Sequence, residues 1–221
     1  MKIYNATDGI LIEHEGRWAL HAGADWDELI NHDQLLSHLL ELHGRLKPRP
    51  VPALDTLLPP MQGQELWASG VTYLRSKVER QEESKGSGGG DFYQRVYEAE
   101  RPELFFKGTR HRVVGHGGLV RIRADSTWDV PEPELALVLN RHGRIVGYTI
   151  GNDMSSRSIE GENPLYLSQA KIYDGSAALG PCVLVREEPL PSYAAISLSI
   201  RRGAAEVFSG SVEISQITRR F

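Results

Sequence analysis

The sequence predicts a mainly β chain with some α (an α+β class), built as a β-rich core behind a small N-terminal domain. Three observations carry this. From residue 104 onward, short apolar runs recur at 104–106, 119–122, 135–139, 145–150, 182–185 and 196–200. Turn residues separate them, among them Gly115-His116-Gly117-Gly118, His142-Gly143 and Gly203, the texture of a sandwich or rolled barrel. The first 60 residues read differently, with a helical stripe and then a proline-rich stretch. The chain therefore divides into an N-terminal unit, 1–60, and a catalytic unit, 61–221.

In the N-terminal unit, residues 9–20 alternate weakly, as a hairpin does. Asp25 is placed to cap a helix beginning at Trp26, with Leu29 and Ile30 inward. Leu35, Leu36, Leu39, Leu40 and Leu42 form the stripe of a second helix. Pro48, Pro50, Pro52, Pro59 and Pro60 mark an extended linker. Beyond it, 66–71 is a short apolar run, 74–85 a polar helix, 86–90 a glycine-rich stretch, and 91–99 a second short helix. A helix hinged on glycines has the form of an active-site lid.

Composition narrows the class. The 221 residues are 40% hydrophobic and 24% charged, with a formal net charge of -4, and no stretch is basic enough for a nucleic-acid footprint. No apolar run approaches the ~20 residues of a membrane helix, and the polar start is unlike a signal peptide. The single cysteine, Cys182, rules out an internal disulfide and suits a reducing, cytoplasmic setting. A small-molecule enzyme without nucleic-acid or membrane partners is the remaining expectation.

The chemistry concentrates in Pro131-Glu132-Pro133-Glu134, which leads into the 135–139 run. Side chains two apart in extended backbone share a face, so Glu132 and Glu134 project together. Two such carboxylates repel unless a cation joins them. A lone pair of this kind is commonly a solvated edge, but the 145–150 run ends at Gly151-Asn152-Asp153. Asp153 in a loop at a strand end completes a set of three oxygen ligands. Three carboxylates without His or Cys suit Mg²⁺, with Mn²⁺ or Ca²⁺ as alternatives. Such an ion chelates a small 2-oxo acid and favours enolate chemistry. Lys171, among apolar and aromatic neighbours, is expected to be partly desolvated and to move protons or stabilise an oxyanion.

These segments resemble the fumarylacetoacetate hydrolase family. The ordered motifs are Phe105-Phe106-Lys107, Gly115-His116-Gly117, Pro131-Glu132-Pro133-Glu134-Leu135-Ala136, Gly147-Tyr148-Thr149-Ile150-Gly151-Asn152-Asp153, Lys171 and Leu179-Gly180-Pro181, across residues 66–217. The resemblance implies the family's β-rich core, a homodimer or homotetramer, metal ligands at Glu132, Glu134 and Asp153, and an active-site lysine at Lys171. Arg101-Pro102-Glu103-Leu104, Glu162-Asn163-Pro164-Leu165-Tyr166 and Ser69-Gly70-Val71-Thr72-Tyr73 resemble the branch that dehydrates 2-keto-3-deoxy sugar acids of the D-arabinonate type. Residues 74–99 hold glutamates but no histidine, unlike the His–Glu pair of the family's hydrolases.

The implied function is a lyase that dehydrates a 2-keto-3-deoxy-pentonate through a metal-bound enolate. Lys171 and Glu103 share the proton transfers, and Ser69, Tyr73, Arg75 and Lys107 contact substrate. The alternatives are a hydrolase or decarboxylase of 2,4-dioxo acids, a metal-free Schiff-base route through Lys171, and a silent family member. The family continues past the point matching Phe221, so the C-terminal part of the core is expected to be missing and sheet edges open.

Overall fold

A computed structural model describes residues 1–53, 57–70, 72–73 and 95–217. Three strands open the chain: β1 (Lys2–Ala6), β2 (Gly9–His14) and β3 (Arg17–Ala22). Helices α1 (Trp26–Ile30) and α2 (Leu35–Arg45) follow, then β4 (Pro48–Arg49), β5 (Glu65–Ser69), β6 (Leu104–Thr109), β7 (Val113–Val114), β8 (Asp129–Val130), β9 (Pro133–Leu139), β10 (Ile145–Asp153) and β11 (Ser155–Ser156). Helices α3 (Arg157–Glu162) and α4 (Leu167–Lys171) lead to β12 (Ala177–Leu184), β13 (Ala195–Arg202) and β14 (Ala205–Glu213).

The principal sheet runs β4-β3-β2-β1-β12-β10-β9, with β7 joined to β12 in parallel. β1 therefore hydrogen-bonds to a strand from the far end of the chain, through Lys2↔Leu184 and Ile3↔Val183. The apolar faces meet the same way. Ile3, Ile10, Ile12, Trp26, Leu29, Ile30, Leu35 and Leu39 pack with Val146, Val183 and Val185 in one cluster. Strands on both sides of residue 60 thus share a sheet and a core.

The helices form where capping and periodicity place them. Asp25 caps α1, its Oδ1 accepting from Glu28 N at 2.8 Å, and Trp26, Leu29 and Ile30 are buried. On α2, Leu35 and Leu39 are buried while Leu40 faces outward. The expected hairpin is β2–β3.

Three expectations change. The 48–60 stretch is packed rather than a free linker: Asn5 donates its side-chain amide to Pro59 O at 3.0 Å and to Met61 O at 3.3 Å. Met61 N also donates to Pro59 O at 2.8 Å, so the buried asparagine fastens a turn that is already closed by its own backbone. Residues 119–122 form no strand. Leu119 is 87% exposed there, and the segment is tied through Arg121 N to Gly175 O. Residues 151–153, expected in a loop, continue β10, because β9 and β12 pair with it down to Asn152 and Asp153. Gly147 makes that packing possible: a Cβ there would lie 2.4 Å from Val183 Cγ1 and 2.9 Å from Leu184 O. Of the expected lid, 74–94 lies outside the described residues, and 95–98 form a helical turn.

Candidate active site

The carboxylates are set by register. Glu132 and Asp153 exchange both backbone hydrogen bonds, Asp153 N to Glu132 O at 2.9 Å and Glu132 N to Asp153 O at 3.2 Å. They are therefore directly opposite, with side chains on one face. Two residues on, Glu134 lies opposite Gly151. All three carboxylates share that face, and all three line one pocket of about 360 Å³.

Cations are interleaved with them. Lys171 stands at the last position of α4, 3% exposed. Its Nζ donates to Glu132 Oε2 at 2.7 Å, Asp153 Oδ2 at 2.8 Å and Ser155 Oγ at 2.6 Å. Phe105 lies beneath it, 5.6 Å from Nζ to the ring centre. Arg157, the first residue of α3, donates Nη1 to Glu132 Oε1 at 2.8 Å, and its guanidinium lies 5.8 Å from the Trp128 ring centre. Lys107 meets Asp153 Oδ1 at 2.5 Å. As they stand, no three acidic or imidazole groups among the described residues are arranged to enclose an ion; Lys171 Nζ lies between Glu132 and Asp153.

Glu134 differs from its neighbours. Among the described residues none hydrogen-bonds or ion-pairs with its carboxyl. Burial first, then the charges of Glu132 and Asp153, push its carboxyl up to about 8, with Lys171 opposing. Glu134 is therefore the one member of the set outside the ion pairs. An all-oxygen donor set of this charge fits a hard divalent ion.

A second wall of the pocket comes from β5, β6 and the residues beside them. Alternation along β6 sends Glu103 and Phe105 inward to the pocket and leaves Phe106 outside, edge-on to Trp67 at 5.9 Å. Glu103 lies over Gly70, where a Cβ would stand 2.0 Å from Glu103 Oε2. Ser69, Thr72 and Tyr73 line the same wall. Burial and then Glu134 raise the Tyr73 phenol to about 12, and its hydroxyl is buried without a hydrogen bond among the described residues. Across the pocket, Ile196, Leu198, Phe208 and Val212 of β13 and β14 supply an apolar wall.

Of the residues singled out from sequence, Glu132, Glu134, Asp153, Lys171, Glu103, Ser69 and Tyr73 converge on this pocket. Arg75 lies outside the described residues. Lys107, expected at the substrate, is not on the pocket wall; it is 1% exposed behind Asp153. Arg157, Trp128, Ser155 and Glu160 were missed. The signal for them was the polar run Ser155-Ser156-Arg157, which Ser156 turns into a capped helix by accepting from Ile159 N at 3.4 Å.

The fumarylacetoacetate (FAA) hydrolase C-terminal family matches residues 66–217. A protein of Haloferax volcanii named "Probable 2-keto-3-deoxyxylonate dehydratase" is 50% identical over 161 residues, which are 72% of this chain and 54% of that protein. The 2-dehydro-3-deoxy-D-arabinonate dehydratase of Saccharolobus solfataricus is 44% identical over 163 residues, 73% of this chain and 55% of the other. The chain thus spans about half the length of the curated relatives it matches. Among solved structures, a 2-keto-3-deoxy-D-arabinonate dehydratase complexed with magnesium and 2,5-dioxopentanoate aligns with a TM-score of 0.78 at 32% identity, covering 100% of this chain and 79% of the other. A hexagonal crystal form of 2-keto-3-deoxyarabinonate dehydratase aligns with a TM-score of 0.79 at 33% identity, with the same coverage. The chain belongs to the fumarylacetoacetate hydrolase family.

Proposed function

We propose that this chain carries the active site of a Mg²⁺-dependent hydro-lyase acting on 2-keto-3-deoxy-pentonates. The observation that carries the reading is Glu134: a buried carboxyl beside Glu132 and Asp153 but outside their ion pairs, in one pocket with Lys171 and Glu103. Similarity to the two dehydratases supports the substrate class, and the magnesium and 2,5-dioxopentanoate of the aligned structure support the ion and the product.

Glu132, Glu134 and Asp153 would hold the ion once Lys171 and the Glu132 side chain turn from each other. Bound there, Mg²⁺ supplies positive charge to the substrate's carboxylate and 2-oxo group, which acidifies the C3 hydrogen. Lys171 donates to two carboxylates and to Ser155, the posture of a proton donor. That favours Glu103 as the base at C3 and Lys171 as the proton donor to the departing 4-hydroxyl. Loss of the C3 hydrogen and the 4-hydroxyl leaves a C3=C4 double bond and one water. Transfer of one hydrogen from C5 and one from the 5-hydroxyl, ending on C3 and C4, then moves the unsaturation to C5 and gives the 5-aldehyde, 2,5-dioxopentanoate. Tyr73 and Ser69 face the hydroxylated end of the substrate.

Among the described residues no helix is long and apolar enough to cross a membrane, and with Cys182 as the single cysteine we place the protein in the cytoplasm. Exposed Leu119, Ile122 and Leu165 support assembly of copies into a homodimer or homotetramer, which light scattering tests.

The deciding assay gives the purified chain Mg²⁺ with 2-keto-3-deoxy-D-arabinonate, 2-keto-3-deoxy-D-xylonate and acylpyruvates. The expected result is 2,5-dioxopentanoate from a pentonate, abolished by EDTA and restored by Mg²⁺. Cleavage of acylpyruvates alone would transfer the site to C–C hydrolysis, and a borohydride-trapped Lys171 adduct that survives EDTA would replace the metal route.

A further inference from the structure

Lys107 sits on β6 one alternation beyond Phe105, so it points inward behind the pocket rather than into it. Its Nζ donates to Met154 O at 2.9 Å and to Lys171 O at 2.5 Å. Toward Asp153 Oδ1 it forms an ion pair rather than an aligned hydrogen bond. The two carbonyls have different origins. Met154 follows the metal-ligand candidate Asp153 in the chain. Lys171 O belongs to the last residue of α4, and helix ends leave carbonyls without intrahelical partners and favour a nearby cation.

These contacts close a loop. Lys107 holds one oxygen of Asp153, Lys171 Nζ holds the other at 2.8 Å, and Lys107 also holds the backbone from which the Lys171 side chain grows. The direction of the Lys171 ammonium is therefore set at both ends by one buried cation. With two hydrogens donated to backbone carbonyls, its charge paired with Asp153 and 1% of its surface exposed, Lys107 has nothing to offer a substrate.

We propose that Lys107 is a positioning residue: a buried counter-cation that holds Asp153 and the end of α4 so that the Lys171 ammonium is aimed into the pocket. This rests on the dehydratase reading of that pocket. Misplacing a reacting group by about 1 Å can lower a rate on the order of 100-fold.

The test is Lys107→Met in the full chain, with kcat and KM measured on the 2-keto-3-deoxy-pentonate that the wild type turns over. Positioning predicts that kcat falls by about 100-fold while KM stays within about threefold. A KM raised about tenfold with kcat retained would make Lys107 a substrate contact and overturn the inference, as would both constants unchanged. If the variant loses its near-UV circular dichroism, wild-type protein is pulse-acetylated and read by peptide mass spectrometry, with and without pyruvate and Mg²⁺. Lys107 should remain unmodified while exposed Lys2 reacts, whatever the ligand. Labelling of Lys107 at the Lys2 rate, blocked by pyruvate, would overturn the proposal. A wild type without Mg²⁺-dependent turnover would sink the dehydratase reading instead, and the labelling arm would still decide the place of Lys107.

Discussion

Glu134→Gln should stabilise the metal-free chain, and increasingly so as pH rises. In the folded protein burial and the charges of Glu132 and Asp153 lift the Glu134 carboxyl to about 8, against an ordinary value of 4.5. Between those values the folded state binds a proton that the unfolded chain has released. The folded pKa is the higher one, so stability is fully present below pH 4.5 and is lost as pH climbs through about 8. At about 1.4 kcal/mol per pH unit the ceiling is roughly 5 kcal/mol. Partial exposure of the site and solvent screening bring the expected effect to roughly 1–3 kcal/mol. Glutamine has the same shape and no charge to desolvate.

Urea unfolding in EDTA at pH 5.0, 7.0 and 8.5 measures this. The two proteins should be nearly equal at pH 5.0 and separate by roughly 1–3 kcal/mol at pH 8.5, with glutamine the more stable. Mg²⁺ should reverse the order. At a concentration 100 times its Kd the ion adds about 2.7 kcal/mol to a protein that binds it only when folded, and the glutamine variant forgoes most of that. A stability difference that does not change with pH, or a metal-free glutamine variant weaker than wild type at pH 8.5, would refute the electrostatic reasoning.

Gly70→Ala places a methyl group 2.0 Å from Glu103 Oε2. The carboxylate end can swing aside, so turnover should fall at least about tenfold while thermal stability changes by less than about 1 kcal/mol; comparable losses in both would assign Gly70 to the strand rather than to Glu103. Lys171→Met should abolish turnover yet tighten Mg²⁺ binding by about tenfold, because it removes a positive charge from between Glu132 and Asp153; calorimetry showing weaker binding would contradict the competition between lysine and ion. Gly147→Ala forces a methyl group against Val183 Cγ1 at 2.4 Å and Leu184 O at 2.9 Å, which should cost about 1–3 kcal/mol in urea unfolding, while an unchanged midpoint would mean that β10 and β12 part more easily than their contacts suggest.

How much of this was legible depends on the range of the interaction. Asp25 as a cap and the Leu35/Leu39 face of α2 follow from neighbours within one helical turn. The common face of Glu132 and Glu134 follows from strand alternation. That Asp153 lies opposite Glu132 was not readable from residue types, because it depends on the register of β9 against β10. The β1–β12 pairing joins residues 180 or more positions apart in the chain, and no local pattern announces it. The 119–122 run shows the converse: apolar composition without a partner strand makes no strand. Helices α3 and α4 are too short for a 3.6-residue period to register, yet α4 delivers Lys171.

The charge order in the site accounts for why a chain would bury so many ionised groups together. Arg157, Glu132, Lys171, Asp153 and Lys107 alternate in sign along successive contacts of 2.8, 2.7, 2.8 and 2.5 Å. Each carboxylate in that series lies between two cations, which offsets the desolvation that isolated buried charges would suffer. Arg157 is braced by Trp128 and Lys107 by two backbone carbonyls, so the two outer cations are the fixed members. Lys171, at the centre, is bound by side chains that would themselves turn toward an incoming ion. Glu134 stands outside the alternation and keeps its proton to about pH 8. A divalent ion entering beside it would supply the missing positive charge and compete with Lys171 for Glu132 and Asp153. On the proposed reading the same event would fill the ligand set and turn the Lys171 side chain toward the substrate, and Glu134 would couple ion binding to catalysis.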